Sequence, residues 1–396
     1  MKYIMGELAD IIDGDRGKNY PKQDEFHKNG FCLFLDTGNV TKDGFSFESN
    51  HFITEEKCNA LKNGKMQRGD IAYTTRGTVG NAAYYSDTVP FENIRINSGM
   101  VIIRVKKEVV SAAFLYQILK HNTYRTYFRK YSTGSAQPQL PINNFSQIVL
   151  DIPPIEKQEK IAIILTAYDN LIENNQKQIK LLEEAAQRLY KEWFVDLRFP
   201  GYENVPVVDG VPEGWTKKTL SEIADIIMGQ SPKSEFYNDK HEGLPFHQGV
   251  GSFGNRFVID ETYSSSYTRI AEAGSILFSV RAPVGRLNIT KNKIVIGRGL
   301  AAMKQKEGYQ NYLYYMLKER FFKDNLIGNG SIFASISKDE LAGLSFGIPT
   351  NDIKERFNII VQQIDEKIRV IDTQTELLAQ TRDCLLPELM NGDIDI

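Results

Sequence analysis

From Ile161 the chain places apolar or aromatic residues at alternating steps of four and three: Ile161, Leu165, Tyr168, Ile172, Ile179, Leu182, Ala186, Leu189 and Trp193. Asn175 is the one polar member of the series, and Glu, Lys, Gln and Asn fill most positions between. A seven-residue repeat of this kind predicts a long helix with a narrow seam facing another helix. About 40 helical residues make a rod of roughly 60 Å, far longer than an average globular helix. The same count from Phe357 gives Val361, Ile364, Ile368, Ile371, Thr375, Leu378, Arg382, Leu385 and Leu389, at an offset of 196 from the first series. The predicted seam therefore holds Ile161, Leu165, Ile172, Asn175, Ile179 and Leu182 on one helix, and Val361, Ile368, Leu378 and Leu385 on the other. A lone seam Asn fixes register at some cost in stability. The position matching Asn175 is Ile371, so that role is confined to one helix.

The segments before each helix change period. Residues 1–154 hold short β-prone runs (FCLFLDTGNV, GDIAYTTRGTVGNAAYY, SGMVIIRVK) bounded by Gly, Asn and Asp, then a helical spacing over Ser111–Tyr131 and a last strand, QIVLDIPP. Pro153 and Pro154 end that strand and set the start of the helix. Residues 215–350 repeat this order. Glu7–Gly14 returns as Glu222–Gly229, Gly69–Gly80 as Gly274–Gly285, Phe114–Lys120 as Tyr312–Lys318, and Thr133–Pro153 as Asn329–Pro349. The offsets are 215, 205, 198 and 196, so the shift falls in loops. Internal duplication on this scale is a strong signal. The predicted organisation is a globular domain (1–154), a helix (155–195), a connector (196–214) too irregular for strand or helix, a second domain (215–350) and a second helix (351–390). The fold class is mixed α+β with pseudo-twofold duplication. Antiparallel pairing of the helices as a coiled coil is favoured, because each helix leaves its own domain in the same direction. A twofold exchange of halves then preserves every junction.

Length and charge add three constraints. At 396 residues, 41% hydrophobic and 25% charged, the chain has room for two or three domains of soluble globular type. No apolar run approaches the roughly 18 residues that span a bilayer, and MKYIMGELADI has no secretory h-region, so the expected location is cytoplasmic. Cys32, Cys58 and Cys384 are odd in number and scattered, as in a reducing compartment. The net charge of −2 divides unevenly: +3 over 1–154, −1 over 155–195, +1 over 196–350 and −5 over 351–396. The globular parts are slightly positive, which permits nucleic-acid binding.

Catalytic motifs are missing. There is no G-x-x-x-x-G-K-[ST] phosphate loop, no G-x-G-x-x-G after a strand and no G-x-S-x-G elbow. His27, His51, His121, His241 and His247 form no close metal-ligand pair. Ile152–Glu156 (IPPIE) lacks the polar first and aromatic fourth residues of the Asn-Pro-Pro-aromatic motif of amino-methyltransferases. This points to a chain that is not an enzyme by itself.

The junctions carry a resemblance. STGSAQPQLPINNFSQIVLDIPPIEKQEKIAIIL, RLYKEWFVDLRFPGYE with GVPEGW, and the echo NGSIFASISKDELAGLSFGIPTNDIKERF together resemble the specificity subunit of type I restriction-modification systems. The likeness spans essentially the whole chain. One departure is IPTNDIKERF, which lacks the double proline and Gln of PPIEKQEKI, so weaker symmetry-related contacts are expected of the second helix. The resemblance implies two target recognition domains, each reading half of a bipartite double-stranded DNA sequence across a non-specific gap. It also implies spacer helices that dock two adenine methyltransferase subunits, with motor-nuclease subunits joining for restriction. No cofactor is expected on this chain; S-adenosylmethionine, ATP and Mg would sit on the partners, and no membrane is involved. The alternative is a coiled-coil scaffold whose domains bind protein.

Candidate DNA contacts come from chemistry and from the duplication. Arg76 and Arg281 occupy the same place in R-G-T-V-G and R-A-P-V-G, where a guanidinium reaches a phosphate or a guanine edge; the plainer reading ties Arg76 to a carboxylate such as Asp70. Arg16, Lys18 and Lys22, and their counterparts Gln230, Ser231 and Lys233, come after the repeated -ADII- segment. Ser135, Gln137 and Gln139, with Ser331 and Ser335, lie on Gly-Ser loops, and Gln suits adenine edges. Lys120, Arg125, Arg129 and Lys130, interleaved with Tyr124, Tyr127, Phe128 and Tyr131, form either a phosphate-positioning face or a half-buried helix. Arg298 and Lys304 are further candidates. Tyr190, Trp193 and Phe194 either anchor a partner subunit or pack on the second domain.

Overall fold

The computed structural model describes residues 1–134, 137–321 and 335–396. The chain divides into two compact units, Met1–Asn175 with Thr373–Ile396, and Gln176–Asp372. Each unit thus combines one globular domain with part of each long helix.

In the first unit, β1 (Ala9–Asp13), β4 (Ile71–Thr74), β5 (Ala82–Tyr84) and β7 (Met100–Val105) form an antiparallel sheet ordered β1-β7-β4-β5. Beside it, β2 (Cys32–Leu35) lies between β3 (Phe52–Ile53) and β6 (Ile94–Ile96), parallel to β6. Alternation along the strands splits the core in two, since successive strand side chains face opposite sides. Ile71, Tyr73, Val101 and Ile103 face α1 (Ala112–Lys120) and α2 (Asn122–Arg129), whereas Ala72, Met100 and Ile102 face β2 and β6.

The second unit repeats the plan. Strands β8 (Ala224–Met228), β10 (Ile276–Ser279), β11 (Leu287–Ile289) and β13 (Leu300–Gln305) are ordered β8-β13-β10-β11. Strands β9 (Leu244–His247) and β12 (Ile294–Ile296) pair in parallel as β2 and β6 do. Ile276, Phe278, Ala301 and Met303 pack on a helix over Gln310–Phe321, while Leu277, Leu300 and Ala302 turn to the other side.

The long helices are α3 (Ile155–Tyr190), closed by a π turn over Lys191–Val195, and a second helix over Asn351–Asn391. In the first unit Ile161, Ala162 and Leu165 share a core with Leu386 and Leu389. In the second, Ile179 meets Ile368 and Ile371, and Ala186, Tyr190 and Trp193 meet Phe357 and Val361. Early residues of one helix meet late residues of the other, so the pairing is antiparallel. Ile172, Asn175, Leu182, Leu378 and Leu385 are only half-buried, and Leu386 is more buried than the predicted Leu385. Where a helix packs on a globular domain, its natural 3.6 period shifts the buried stripe off a strict heptad.

Two expectations change. The connector is not wholly irregular: it holds a 3-10 turn, Tyr202–Asn204, and a short hairpin pairing Val207–Val208 with Val211–Pro212. Asp209 and Gly210 both take positive φ, 51° and 77°, as a two-residue hairpin turn requires. The second junction also compensates for its departure from PPIEKQEKI. In the first, buried Gln158 donates to Val109 O and Pro153 O and accepts from Ser111 N, pinning the helix start. At the matching position Lys354 is equally buried and pairs with Glu307.

Candidate nucleic-acid interface

Each unit gathers separate loops at one edge of its main sheet. In the first, β4 is followed by Thr75 and Arg76, whose N–H groups both donate to Gly99 O at 2.9 and 3.2 Å. Thr74 Oγ1 closes the turn by donating to Thr78 O, and Gly77 and Gly80 supply its positive φ. Leu140 N donates to Thr75 O, which sets Gln139 opposite Arg76 in a β-bridge. The loop after β1 lies so close to Asn97 that a Cβ on Gly14 would sit 2.2 Å from its carbonyl oxygen. Arg16, the next guanidinium, donates to Asp13 and to Ser98 O. Arg76, Arg16 and Gln139 therefore share one exposed rim.

The second unit builds the same rim. Val280 N donates to Gly299 O and Ile336 N to Val280 O, setting Arg281 opposite Ser335. Ser279 Oγ donates to Pro283 O, as Thr74 does to Thr78. A Cβ on Gly229 would sit 2.1 Å from Gly297 O. Gln230 N donates to Ile296 O, and Ser231 Oγ accepts from Arg298 N. Gln230, Ser231, Arg281, Arg298 and Ser335 are thereby brought together. The charge is kept while its bearer changes: Arg16 and Ser98 in one unit answer to Ser231 and Arg298 in the other.

Asp70 takes a bidentate Arg104 at 2.8 and 2.9 Å, so the structural reading of Arg76 is overturned. Among the described residues neither Arg76 nor Arg281 has a side-chain ion pair or hydrogen bond, and both are exposed. Asp15 stiffens the first rim. It accepts from the N–H groups of Gly17, Lys62 and Asn63, and these bonds hold its carboxyl below the usual carboxylate range despite burial.

Other candidates fall elsewhere. Lys18, Lys22 and Lys233 are exposed on the loops beyond the rim. Lys22 and Lys233 precede matching 3-10 turns, Gln23–Glu25 and Ser234–Phe236, and Lys233 lies 3.8 Å from Glu235. Among the described residues no hydrogen bond or ion pair ties these lysines to the rim. Gln137 is exposed, Lys304 is exposed on β13, and Ser135 and Ser331 lie outside the described residues. The basic aromatic run is a half-buried pair of helices, in which Lys120 pairs with Asp169, Arg125 with Asn81 and Arg129 with Val79 O, while Arg129 and Lys130 stay exposed. Tyr190, Trp193 and Phe194 are also corrected. Tyr190 and Trp193 are 6% and 7% exposed, and all three rings pack with Phe357, Tyr312 or Trp215 inside the second unit.

Sequence reasoning missed two ionic clusters that seat each domain on its helices. Asp169 accepts from Gln117 at 2.7 Å, Lys120 at 2.9 Å and Arg382 at 2.8 Å. Asp365, 196 residues on, accepts from Tyr315 at 2.9 Å and Arg256 at 2.8 Å. Arg256 is 1% exposed, lies 3.7 Å from the Tyr314 ring centre and also reaches Glu183. Arg382 in the seam and the shared offset of the two aspartates were the available signals.

The sequence profile described as the type I restriction modification DNA specificity domain matches residues 2–184 and again 212–380. The chain belongs to this family. It is 30% identical over 401 residues to the chain named as the MjaX specificity subunit of Methanocaldococcus jannaschii, covering 98% of this chain and 93% of that one. It is 26% identical to the type I restriction enzyme HindI specificity subunit of Haemophilus influenzae, covering 98% of this chain and all of that one. The structure is similar to that of a type I restriction-modification S subunit from M. genitalium, with a TM-score of 0.52 at 16% identity, covering 100% and 96% of the two chains. As a specificity subunit the chain serves DNA recognition and is non-catalytic by itself, the enzymatic subunits of such systems being separate chains. Among the described residues no helix is long and apolar enough to cross a membrane, and no His/Cys/Asp/Glu group is arranged to hold a metal ion.

Proposed function

We propose that each globular domain of this specificity subunit reads one half of a bipartite double-stranded DNA target, and that the paired helices set the gap between the halves. The observation that carries this reading is one rim built twice on the same backbone hydrogen bonds but furnished with different side chains. A shared frame positions; differing side chains specify. Arg76 and Arg281, alike in both copies, serve as phosphate contacts. Arg16, Gln137 and Gln139 in one domain, and Gln230, Ser231, Arg298 and Ser335 in the other, are the candidates for base edges. Lys18, Lys22 and Lys233 extend the positive surface beyond the rim.

Two adenine methyltransferase subunits dock on the helices, and motor-nuclease subunits join for restriction. S-adenosylmethionine, ATP and Mg act on those partners, in the cytoplasm. With Tyr190 and Trp193 occupied internally, the helices offer other apolar side chains for docking: Ile163, Leu181, Ile359 and Val370 are each more than half exposed. The test is co-expression with an adenine methyltransferase subunit and mapping of methylated adenines. One bipartite motif with a fixed gap is expected; random methylation, or none, refutes the reading.

A further inference from the structure

The loop after β9 occupies the middle of the second rim, yet its residues fall in no repeated segment. His247 O accepts from Gly297 N at 2.8 Å, and Gln248 O accepts from Gly299 N at 3.0 Å. Both carbonyls flanking Gln248 are thus fixed to the loop that carries Arg298. Packing there is backbone against backbone. A Cβ on Gly299 would stand 2.3 Å from Gln248 O, and one on Gly297 would stand 3.0 Å from Gln248 Cα and 2.9 Å from Ser231 Oγ. Gln248 is therefore the immediate neighbour of Ser231 and Arg298.

The turn beyond Gln248 is braced from below. The imidazole of His247, 1% exposed, has Nδ1 2.8 Å from Ser252 Oγ and Nε2 2.9 Å from Asp260 Oδ1. Asn292 Nδ2 donates to the other oxygen of Asp260, and Asn288 Nδ2 to Gly254 O. These bonds hold the turn over Val250–Ser252 while leaving the Gln248 side chain exposed, with no hydrogen bond to any described residue. An amide offered from an immobilised backbone, beside the loops that carry Arg298 and Ser231, is preorganised for readout. Its donor and acceptor together match N7 and N6 of adenine in the major groove.

We infer that Gln248 is a specificity-determining residue that reads an A·T pair in the half-site of the second domain. This rests on the reading of each domain as a half-site reader. The first unit differs at the same place. Asn97 N donates to Leu35 O as Gly297 N does to His247 O, so Asp36 answers to Gln248. Its carboxylate is already engaged, accepting from Gly38 N at 2.7 Å. The two halves are read by different chemistry at this position.

The test compares the wild-type chain with Gln248→Ala and Gln248→Glu, each in complex with an adenine methyltransferase subunit, by mapping methylated adenines. Gln248→Ala is expected to relax preference about tenfold at one A·T position of one half-site, leaving the other half and the gap unchanged. Gln248→Glu, which only accepts, shifts that position towards cytosine. An unchanged motif in both variants overturns the inference while leaving the half-site reading intact, as does a uniform loss of methylation from an assembled complex. Absence of any bipartite motif from the wild type overturns the half-site reading itself.

Discussion

Asp169 concentrates the electrostatics of the first unit. Burial raises its pKa, but Lys120 beside it and hydrogen bonds from Gln117, Lys120 and Arg382 outweigh burial and hold the carboxyl below its ordinary value. A depressed folded value means that the stability it contributes is present above the unfolded pKa of about 3.9 and is lost as pH falls through the folded value. Asp169→Asn is expected to cost roughly 2–3 kcal/mol at neutral pH, because Lys120 and Arg382 lose their shared anion. Urea denaturation at pH 7 and at pH 3 checks this: the gap between wild type and variant should narrow at the lower pH. An equal gap at both would show that the carboxylate's charge is not what matters. Asp365 behaves otherwise. Burial keeps its carboxyl above the ordinary value even beside Arg256, and its Oδ2 has no hydrogen-bond partner. Equivalent positions in a duplicated chain thus carry different energetics, since Asp169 has three donors and Asp365 two.

At the scale of elements, the helices were legible because a heptad is written in adjacent residues and needs no tertiary knowledge. The first runs as an α-helix over Ile155–Tyr190 and continues as a π turn to Val195, the second covers Asn351–Asn391, and Pro153 and Pro154 mark the first start. The connector hairpin was missed although Asp209-Gly210 is a recognised turn pair, because two-residue strands leave no periodicity to read. The break at His121, which splits one predicted helix into α1 and α2, was also invisible. There the imidazole turns to Asp383 O at 2.8 Å, a partner 262 residues away. If the helices set the gap in the DNA target, inserting one heptad in each should lengthen that gap by about three base pairs, seven residues rising roughly 10 Å. Both half-sites should stay the same in the mapped motif. An unchanged gap would remove the helices from the role of spacer.

For the whole molecule, a net charge of −2 conceals where positive charge is useful. The acidic excess lies in 351–396, while both rims expose guanidiniums with no side-chain partner among the described residues. Because Arg76 and Arg281 recur in both copies while their neighbours differ, they fit contacts that carry no sequence information. Removing both as Arg76→Ala/Arg281→Ala should weaken binding to all duplexes alike. It should also reduce the slope of log affinity against log salt by about 1.8, each phosphate contact accounting for about 0.9. A titration of the assembled complex across salt concentrations measures this. A changed target motif with an unchanged slope would make them base readers instead.

The sequence alone determined the duplication, the two long helices and the family. All of these reside in local periodicity or in repeated segments at a nearly constant offset. Tertiary structure decided three further things. It fixed the antiparallel direction of the helices, which the heptad does not encode and which only the symmetry of the junctions favours. It paired Asp169 with Arg382, 213 residues apart. It also assembled each rim: in the first, main-chain hydrogen bonds join Leu35, Thr75, Arg76, Asn97, Gly99 and Leu140, and the loop at Gly14–Arg16 packs against Asn97 and Ser98. Those bonds are indifferent to side-chain identity, so the residues they gather, Gln248 among them, bear no mark in the sequence of having been brought together.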